Sequence, residues 1–247
     1  GVLNQSRARL LVVDQRFAAE VERVRGELRH LRPEQILYVR TEPQPLAGPD
    51  LAACVTREVG PPEKSLDAPG VDVSPAAVLI VIYTSGTTGL PKGINNNHLK
   101  MLGIGMVVAS QLQLGPDDTG YACMPLFHSN SLYLGFQPAF HVGASLALRV
   151  RFSASSFVPD VLRYGVTWWN YVGEPVHYVL NAIEKEYGSD ERGILAAVAG
   201  NPKNRLRFAL GNGAAAPDIE KFSRWLALED MFELYGSTEA AISTFRK

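Results

Sequence analysis

The sequence predicts an α/β fold with layered parallel and mixed sheets and helices on both faces. Three observations carry that expectation. The chain opens with a strand, a helix and a strand in succession. It contains a continuous β-branched run at Ala76–Tyr83. From Thr119 onward, short apolar runs alternate regularly with segments of helical periodicity.

The elements follow in order. "RLLVVD" (Arg9–Asp14) reads as a buried strand. "QRFAAEVERVRGELRHL" then places Phe17, Val21, Val24 and Leu28 on one helical face. "QILYVR" is a second strand, which completes a β-α-β unit and predicts parallel pairing. Thr41–Pro75 is rich in Pro, Gly and Asp and reads as a long irregular connection. "AAVLIVIY" lacks alternation, as expected of a strand covered on both faces. "HLKMLGIGMVVASQLQL" reads as a largely buried helix. "TGYACMPL" and "ASLALRV" read as strands flanking a short helix around Tyr133–Phe140. Helix "VPDVLRYG", strand "VTWWNYV", helix "EPVHYVLNAIEKEYG", strand "LRFALGNG", helix "APDIEKFSRWLA" and a final strand "MFELYGS" complete the order. No internal repeat is present. Residues 1–75 form the first β-α-β part and its connection. Residues 76–247 hold the functional motifs.

The bulk properties exclude several classes. With 247 residues, 46% of them hydrophobic and 20% charged, the chain can bury a substantial core. Lys plus Arg is 24 and Asp plus Glu is 25, a balance that gives no support to a nucleic-acid partner, which would favour a basic face. Cys54 and Cys123 are far apart and fit two free thiols in a reducing compartment. "GVLNQSRARLLVVDQ" has neither the apolar stretch nor the cleavage site of a secretory signal. The uncharged run Thr119–Leu148 is long enough for a membrane span. Pro125, His128, Asn130, Gly135, Gln137, Pro138 and His141 interrupt it, so strand, helix and strand is the better reading.

"YTSGTTGLPKG" (Tyr83–Gly93) follows directly after a strand, where ligands of open α/β sheets sit. Its three glycines allow tight folding and close approach of backbone N–H groups to a ligand. Thr84, Ser85, Thr87 and Thr88 add hydroxyls, and Lys92 adds a positive charge. Everything in the loop donates, so its natural guest is a polyphosphate; the alternative is a flexible Gly/Thr turn. The common P-loop requires Lys followed by Ser or Thr at a helix start. Here Pro91 precedes Lys92 and Gly93 follows it, so this lysine does not open a phosphate-capping helix.

This loop resembles the phosphate-loop signature of the acyl-adenylate-forming (AMP-binding) enzymes. "ELYGSTEA" (Glu233–Ala240) resembles a second signature of that family, and "MPLFHSNSL" (Met124–Leu132) a third, in the family's order and spacing. "RFSASSF", "YGVTWWNYVGEPVHYVLN" and "LRFALGNG" resemble the very-long-chain acyl-CoA synthetases and fatty acid transport proteins, including bacterial fatty-acyl-CoA ligases.

The resemblance implies ATP-dependent activation of a long-chain fatty acid to acyl-AMP, with Mg²⁺, and transfer to coenzyme A. It implies that Thr84, Ser85, Gly86, Thr87, Thr88, Gly89 and Lys92 hold the β- and γ-phosphates. Thr238 would touch the α-phosphate and Glu239 would hold the metal. Thr84, Lys92, Thr238 and Glu239 form the catalytic set. Gly211, Asn212, Gly213 and Ala214 would run beside the nucleotide, Tyr235 would pack on adenine, and Gly236 and Ser237 would also bind the nucleotide. Tyr235 is equally readable as a half-buried strand tyrosine. His128, Tyr171, Val172 and Gly173 would line the acyl tunnel, Gly173 by withholding side-chain volume. Trp168, Trp169 and Tyr171 are equally readable as plain core, and His128 as a packed residue. His98, His141 and His177 receive no role.

By the same resemblance the chain is part of a large N-terminal domain. The ribose-binding aspartate, the hinge and the small C-terminal domain with its catalytic lysine are expected beyond Lys247. The expected location is cytoplasmic, with peripheral membrane contact left open; oligomeric state is unassigned. Competing readings are a fatty-acyl-AMP ligase loading an acyl carrier protein, a non-catalytic nucleotide- or lipid-binding half-domain, and a membrane-bound lipid transporter.

Overall fold

The structure, a computed structural model, describes residues 1–58, 72–84, 89, 91–239 and 241–246, with 56–58 and 241–246 described by backbone alone. Two compact units emerge. The first comprises 1–73 with 83–93, and the second 74–82 with 94–247.

In the first unit a short helix α1 (Val2–Ser6) precedes β1 (Leu11–Asp14), α2 (Ala18–Val24) and β2 (Ile36–Val39). β1 and β2 pair in parallel, Leu11 opposite Ile36 and Asp14 opposite Val39, as the β-α-β reading requires. Val21, Ile36 and Tyr38 form a small core. The helical face is narrower than expected, because Phe17 and Val24 are exposed. The connection after β2 contains a helix, α3 (Leu51–Glu58), where irregular chain was expected. Asp50 Oδ1 accepts from the Ala52 N–H at its start, a local bond that the surrounding Pro and Gly hide from a compositional reading.

β3 (Val78–Thr84) and β4 (Lys92–Asn97) pair with each other. β3 is not covered on both faces: Val78, Leu79 and Val81 are exposed and only Ile82 is buried. A two-stranded ladder has no second layer to cover it, so the β-branched run is only half used. α4 (His98–Gln111) likewise buries Met101, Ile104, Gly105, Val108 and Ala109 and leaves Leu99, Leu102, Met106 and Val107 exposed.

The second unit is built on a six-stranded sheet. Its strands are β5 (Thr119–Ala122), β6 (Ser145–Leu148), β7 (Trp168–Val172), β8 (Phe208–Asn212), β9 (Asp230–Ser237) and β10 (Ala241–Arg246), in spatial order β10-β9-β8-β7-β5-β6. All neighbouring pairs are parallel except β9–β10. β10 lies beyond the strand expected to be last. Between β5 and β6 a continuous helical segment runs through α5 (Ser129–Ser131), a π-helical turn (Leu132–Phe136) and α6 (Gln137–Val142). The other connections are α7 (Ala154–Tyr164), α8 (Gly173–Tyr187), α9 (Glu191–Ile194) with a second π turn (Leu195–Ala199), and α10 (Ala216–Leu226). Among the described residues, no helix is long and apolar enough to cross a membrane.

Successive strand residues point to opposite faces, and β7 shows the consequence. Trp168 packs with α4 and the 129–142 segment on one face. Trp169 and Tyr171 pack with α7, α8 and α10 on the other. β8 divides the same way, with Phe208 and Leu210 on the first face and Ala209 on the second. Burying an aromatic side chain removes roughly 150–250 Å² from water, about 4–6 kcal/mol at ~25 cal/mol/Å². α8 answers with Val176, Val179, Leu180 and Ile183 at helical spacing. Both cysteines are free; Cys123 is buried, and burial pushes its thiol up to about 11.

Candidate active site

The C-terminal ends of β8 and β9 line a cleft in the second unit, beside the end of β7. In parallel sheets this is the edge where crossover loops leave room for a ligand. Two glycines set the close spacing. Gly211 lies opposite Tyr171 in register, and a Cβ on it would stand 2.1 Å from the Tyr171 carbonyl oxygen. A Cβ on Gly173 would stand 1.8 Å from the Gly213 carbonyl oxygen. The β7–α8 corner and the β8 turn therefore touch backbone to backbone.

Glu233, opposite Gly211 on β9, ties these ends together. Its Oε1 accepts from the Tyr171 hydroxyl at 2.6 Å and from the Ala214 N–H at 3.3 Å. Its Oε2 accepts from the Gly213 N–H at 3.2 Å. Burial, reinforced by this carboxylate, holds the Tyr171 phenol well above its ordinary range, so it is the donor.

The opposite wall is the start of the 129–142 segment. Asn130 Nδ2 donates to the Tyr171 carbonyl at 3.0 Å, and Asn130 Oδ1 accepts from Asn170 Nδ2 at 2.8 Å. Asn170 is fully buried, and its Oδ1 has no hydrogen-bond partner among the described residues. The Tyr133 hydroxyl lies 2.5 Å from Asn96 Oδ1 and 3.1 Å from the Thr238 carbonyl oxygen. Burial pushes that phenol up to about 12.

The resulting cavity of about 470 Å³ is lined by Ser129, Asn130, Tyr133, Leu134, Asn212, Gly213 and the β9 residues Glu233–Ser237. That volume is in the range of small-molecule sites. The Tyr235 ring is 75% exposed and offers a flat face to a ligand. Hydroxyl, amide and backbone groups beside it can orient a polar heterocycle.

The expected site residues separate into distinct groups. Asn212, Gly213, Tyr235, Gly236 and Ser237 converge on this cavity. Gly211 is buried beneath it, and Ala214 gives its amide to Glu233. Thr238 adjoins it, its hydroxyl donating to Ser129 Oγ at 3.1 Å, and Glu239 is exposed in the turn that follows β9. Thr84 closes β3, Gly89 has φ +82° and Lys92 opens β4 with an exposed side chain; all three belong to the first unit. Lys92 is thus in a strand and not at a helix start, as its neighbouring proline required. Ser85, Gly86, Thr87 and Thr88 lie outside the described residues.

Two of the residues expected at the tunnel are engaged in other contacts. The Tyr171 ring is fully buried in the core, and its hydroxyl is occupied by Glu233. The space that Gly173 leaves is filled by the Gly213 backbone, so this glycine serves close approach and opens no passage. Val172 is half-buried, and His128 is exposed against Phe127, ring centroids 4.6 Å apart. The sequence reading gives Lys100 and Tyr133 no role, and it places Asn130 and Glu233 in motifs without assigning them one. A lysine in an otherwise apolar helix was the one available signal.

The sequence profile of the family described as "AMP-binding enzyme" matches residues 1–246. The chain is 39% identical over 171 residues to the medium/long-chain-fatty-acid–CoA ligase FadD17 of Mycobacterium tuberculosis, covering 69% of this chain and 31% of that protein. It is 36% identical over 163 residues to long-chain fatty acid transport protein 2 of Rattus norvegicus, covering 66% of this chain and 24% of that protein. It spans less than a third of the length of either curated relative. The fold matches the crystal structure of a long-chain-fatty-acid-CoA ligase (FadD1) from Archaeoglobus fulgidus with a TM-score of 0.75 at 21% identity, over 98% of this chain and 45% of that one. By its sequence along nearly its whole length, the chain belongs to the AMP-binding enzyme family.

Proposed function

We propose that this chain supplies the nucleotide-binding part of a fatty-acid–CoA ligase. The overall reaction activates a long-chain fatty acid with ATP to acyl-AMP and pyrophosphate, then passes the acyl group to coenzyme A. The observation that carries this reading is the convergence of Asn212–Gly213 and Tyr235–Ser237 on one cavity at the ends of β8 and β9, next to Thr238 and Glu239. The fatty-acid class rests on the names of the relatives with 39% and 36% identity.

In this reading Tyr235 stacks on adenine, and the Asn212–Gly213 backbone borders it. Thr238 meets the α-phosphate. Thr84, Ser85, Gly86, Thr87, Thr88, Gly89 and Lys92 hold the β- and γ-phosphates. His128 and Val172 stand nearest to the acyl path. Little covalent work falls to the protein; positioning and charge neutralisation supply most of the rate.

The residues present fit Mg²⁺. Glu239 offers an exposed carboxylate next to the Thr238 hydroxyl, both hard oxygen donors. Among the described residues no group of three His, Cys, Asp or Glu could cage a metal. A single carboxylate completed by substrate phosphates is the usual Mg²⁺ arrangement. Bound there, the ion would neutralise phosphate charge. Coenzyme A is the proposed acceptor in preference to a carrier protein.

Lys92→Ala and Glu239→Gln in the full-length protein test the assignment. A charge-assisted contact is worth roughly 1.5–3 kcal/mol, so each substitution should slow pyrophosphate release about tenfold to a hundredfold, with thermal stability retained. Wild-type rates for Lys92→Ala would remove the phosphate loop from the reading. Wild-type rates for Glu239→Gln at limiting Mg²⁺ would remove the metal site.

A further inference from the structure

Lys100 is out of place as a helix residue. It occupies the first turn of α4, where the helix dipole disfavours a cation, and no acidic side chain in that turn offsets it. Its backbone N–H is already used by the Asn97 cap at 2.8 Å. The side chain is half-buried in a helix whose neighbouring positions are apolar, and burial pulls its pKa below the ordinary lysine value against the opposing charge of Glu239. Local helix electrostatics and burial therefore give no reason for a lysine here.

Tertiary contacts do. Lys100 Nζ donates to the Thr238 carbonyl at 2.6 Å and to the Glu239 carbonyl at 2.9 Å. The ammonium sits 5.5 Å from the centroid of the Tyr133 ring, a cation–π arrangement. Tyr133 in turn places its hydroxyl 3.1 Å from the Thr238 carbonyl oxygen, and Ser129 Oγ accepts from Thr238 Oγ1. Two consecutive carbonyls of the turn after β9 are thus held by one ammonium. α4 and the 129–142 segment grip the turn from separate parts of the chain. Charge-assisted bonds of this kind are about twice as strong as neutral ones, and fixing both carbonyls fixes the peptide planes that carry the Thr238 and Glu239 side chains.

We infer that Lys100 is a positioning residue for the Thr238–Glu239 turn, holding it in the geometry that presents the Thr238 hydroxyl and the Glu239 carboxylate to a magnesium nucleotide. The role of the turn rests on the proposed function; the grip on the turn does not.

The test compares Lys100→Met, Lys100→Arg and Glu239→Gln in the full-length protein. Met keeps the stem and the helix propensity and removes the charge. The first readout needs no ligand. In Lys100→Met, hydrogen exchange at residues 236–239 should rise about tenfold or more, with β7 and β8 unchanged. The second is kinetic. Adenylation kcat should fall about tenfold and the Mg²⁺ concentration for half-maximal rate should rise, while KM for the fatty acid stays within about twofold. Lys100→Arg, which keeps two donors and the charge, should recover most of the rate.

Unchanged exchange at 236–239 overturns the proposal. So does an unchanged kcat in Lys100→Met where Glu239→Gln is impaired. If Glu239→Gln is itself fully active while exchange rises as expected, the grip stands, but its catalytic purpose falls with the proposed function. Tyr133→Phe removes one hydroxyl from the same grip and carries the exchange test if Lys100→Met does not fold.

Discussion

Gly173→Ala is expected to destabilise the second unit by about 3 kcal/mol or more, the upper end of overpacking costs. The added methyl would sit 1.8 Å from the Gly213 carbonyl oxygen and 2.3 Å from its carbon. The obstacle is backbone, and no rotamer change relieves it. Moving it means separating the β7–α8 corner from the β8 turn, which breaks the amide contacts that Gly213 and Ala214 make with Glu233. Urea denaturation reads the loss as a lower midpoint at unchanged slope. Gly103 is the internal control: it lies in α4 with nothing within 4 Å of an added Cβ. Gly103→Ala should gain about 0.5–1 kcal/mol from helix propensity. Because Gly173 is a close-approach residue, any activity lost in Gly173→Ala should be lost for short and long acids together. Selective loss of long substrates with stability intact would restore the tunnel role.

Glu233→Ala is the second large effect. One carboxylate satisfies the buried Tyr171 hydroxyl and two backbone amides of the cavity floor. Leaving a buried donor unpaired costs about 1–3 kcal/mol. Water can reach the two amides, and the Tyr171 hydroxyl retains the Phe232 carbonyl at 3.1 Å. The expected loss is therefore about 2–3 kcal/mol in total. Tyr171→Phe should cost about 1 kcal/mol, and the double variant should lose less than the sum. Coupling between groups in direct contact is of order 0.5–3 kcal/mol. Additive losses would show that Glu233 and Tyr171 do not act as a unit. The nucleotide should also bind more weakly to Glu233→Ala, since Asn212 and Gly213 line the cavity.

The order of strands and helices was legible because β7, β8 and β9 are short apolar runs and α8 and α10 keep helical spacing. Local breaks in pattern hid the rest. β4 reads "KGINNN", poor strand composition, and exists through pairing with β3. α3 is bracketed by Pro and Gly. β10 lies past the motif that appeared to close the sheet. β3 shows the opposite error, where a β-branched run promised burial that a two-stranded ladder does not provide.

The site divides along the same line. Tyr235–Ser237 and Asn212–Gly213 were legible as motif residues and meet at one cavity. Lys100 and Thr238 are 138 residues apart, and Tyr171 and Glu233 are 62 apart. Such pairs leave no local pattern. At Gly173 the sequence points only to missing side-chain volume among bulky neighbours. The atoms nearest an added Cβ belong to the Gly213 backbone, which is distant in sequence.

The central claim is that this chain forms the nucleotide-binding part of an enzyme that adenylates fatty acids. Pyrophosphate release by the full-length protein, measured with ATP, Mg²⁺ and unbranched fatty acids of increasing length, tests it most directly. Each methylene buried adds about 0.8 kcal/mol of binding, so kcat/KM should climb with chain length to a plateau, and release should require both ATP and the acid. No release with any fatty acid, or a preference for acetate or an aromatic acid, would contradict the account.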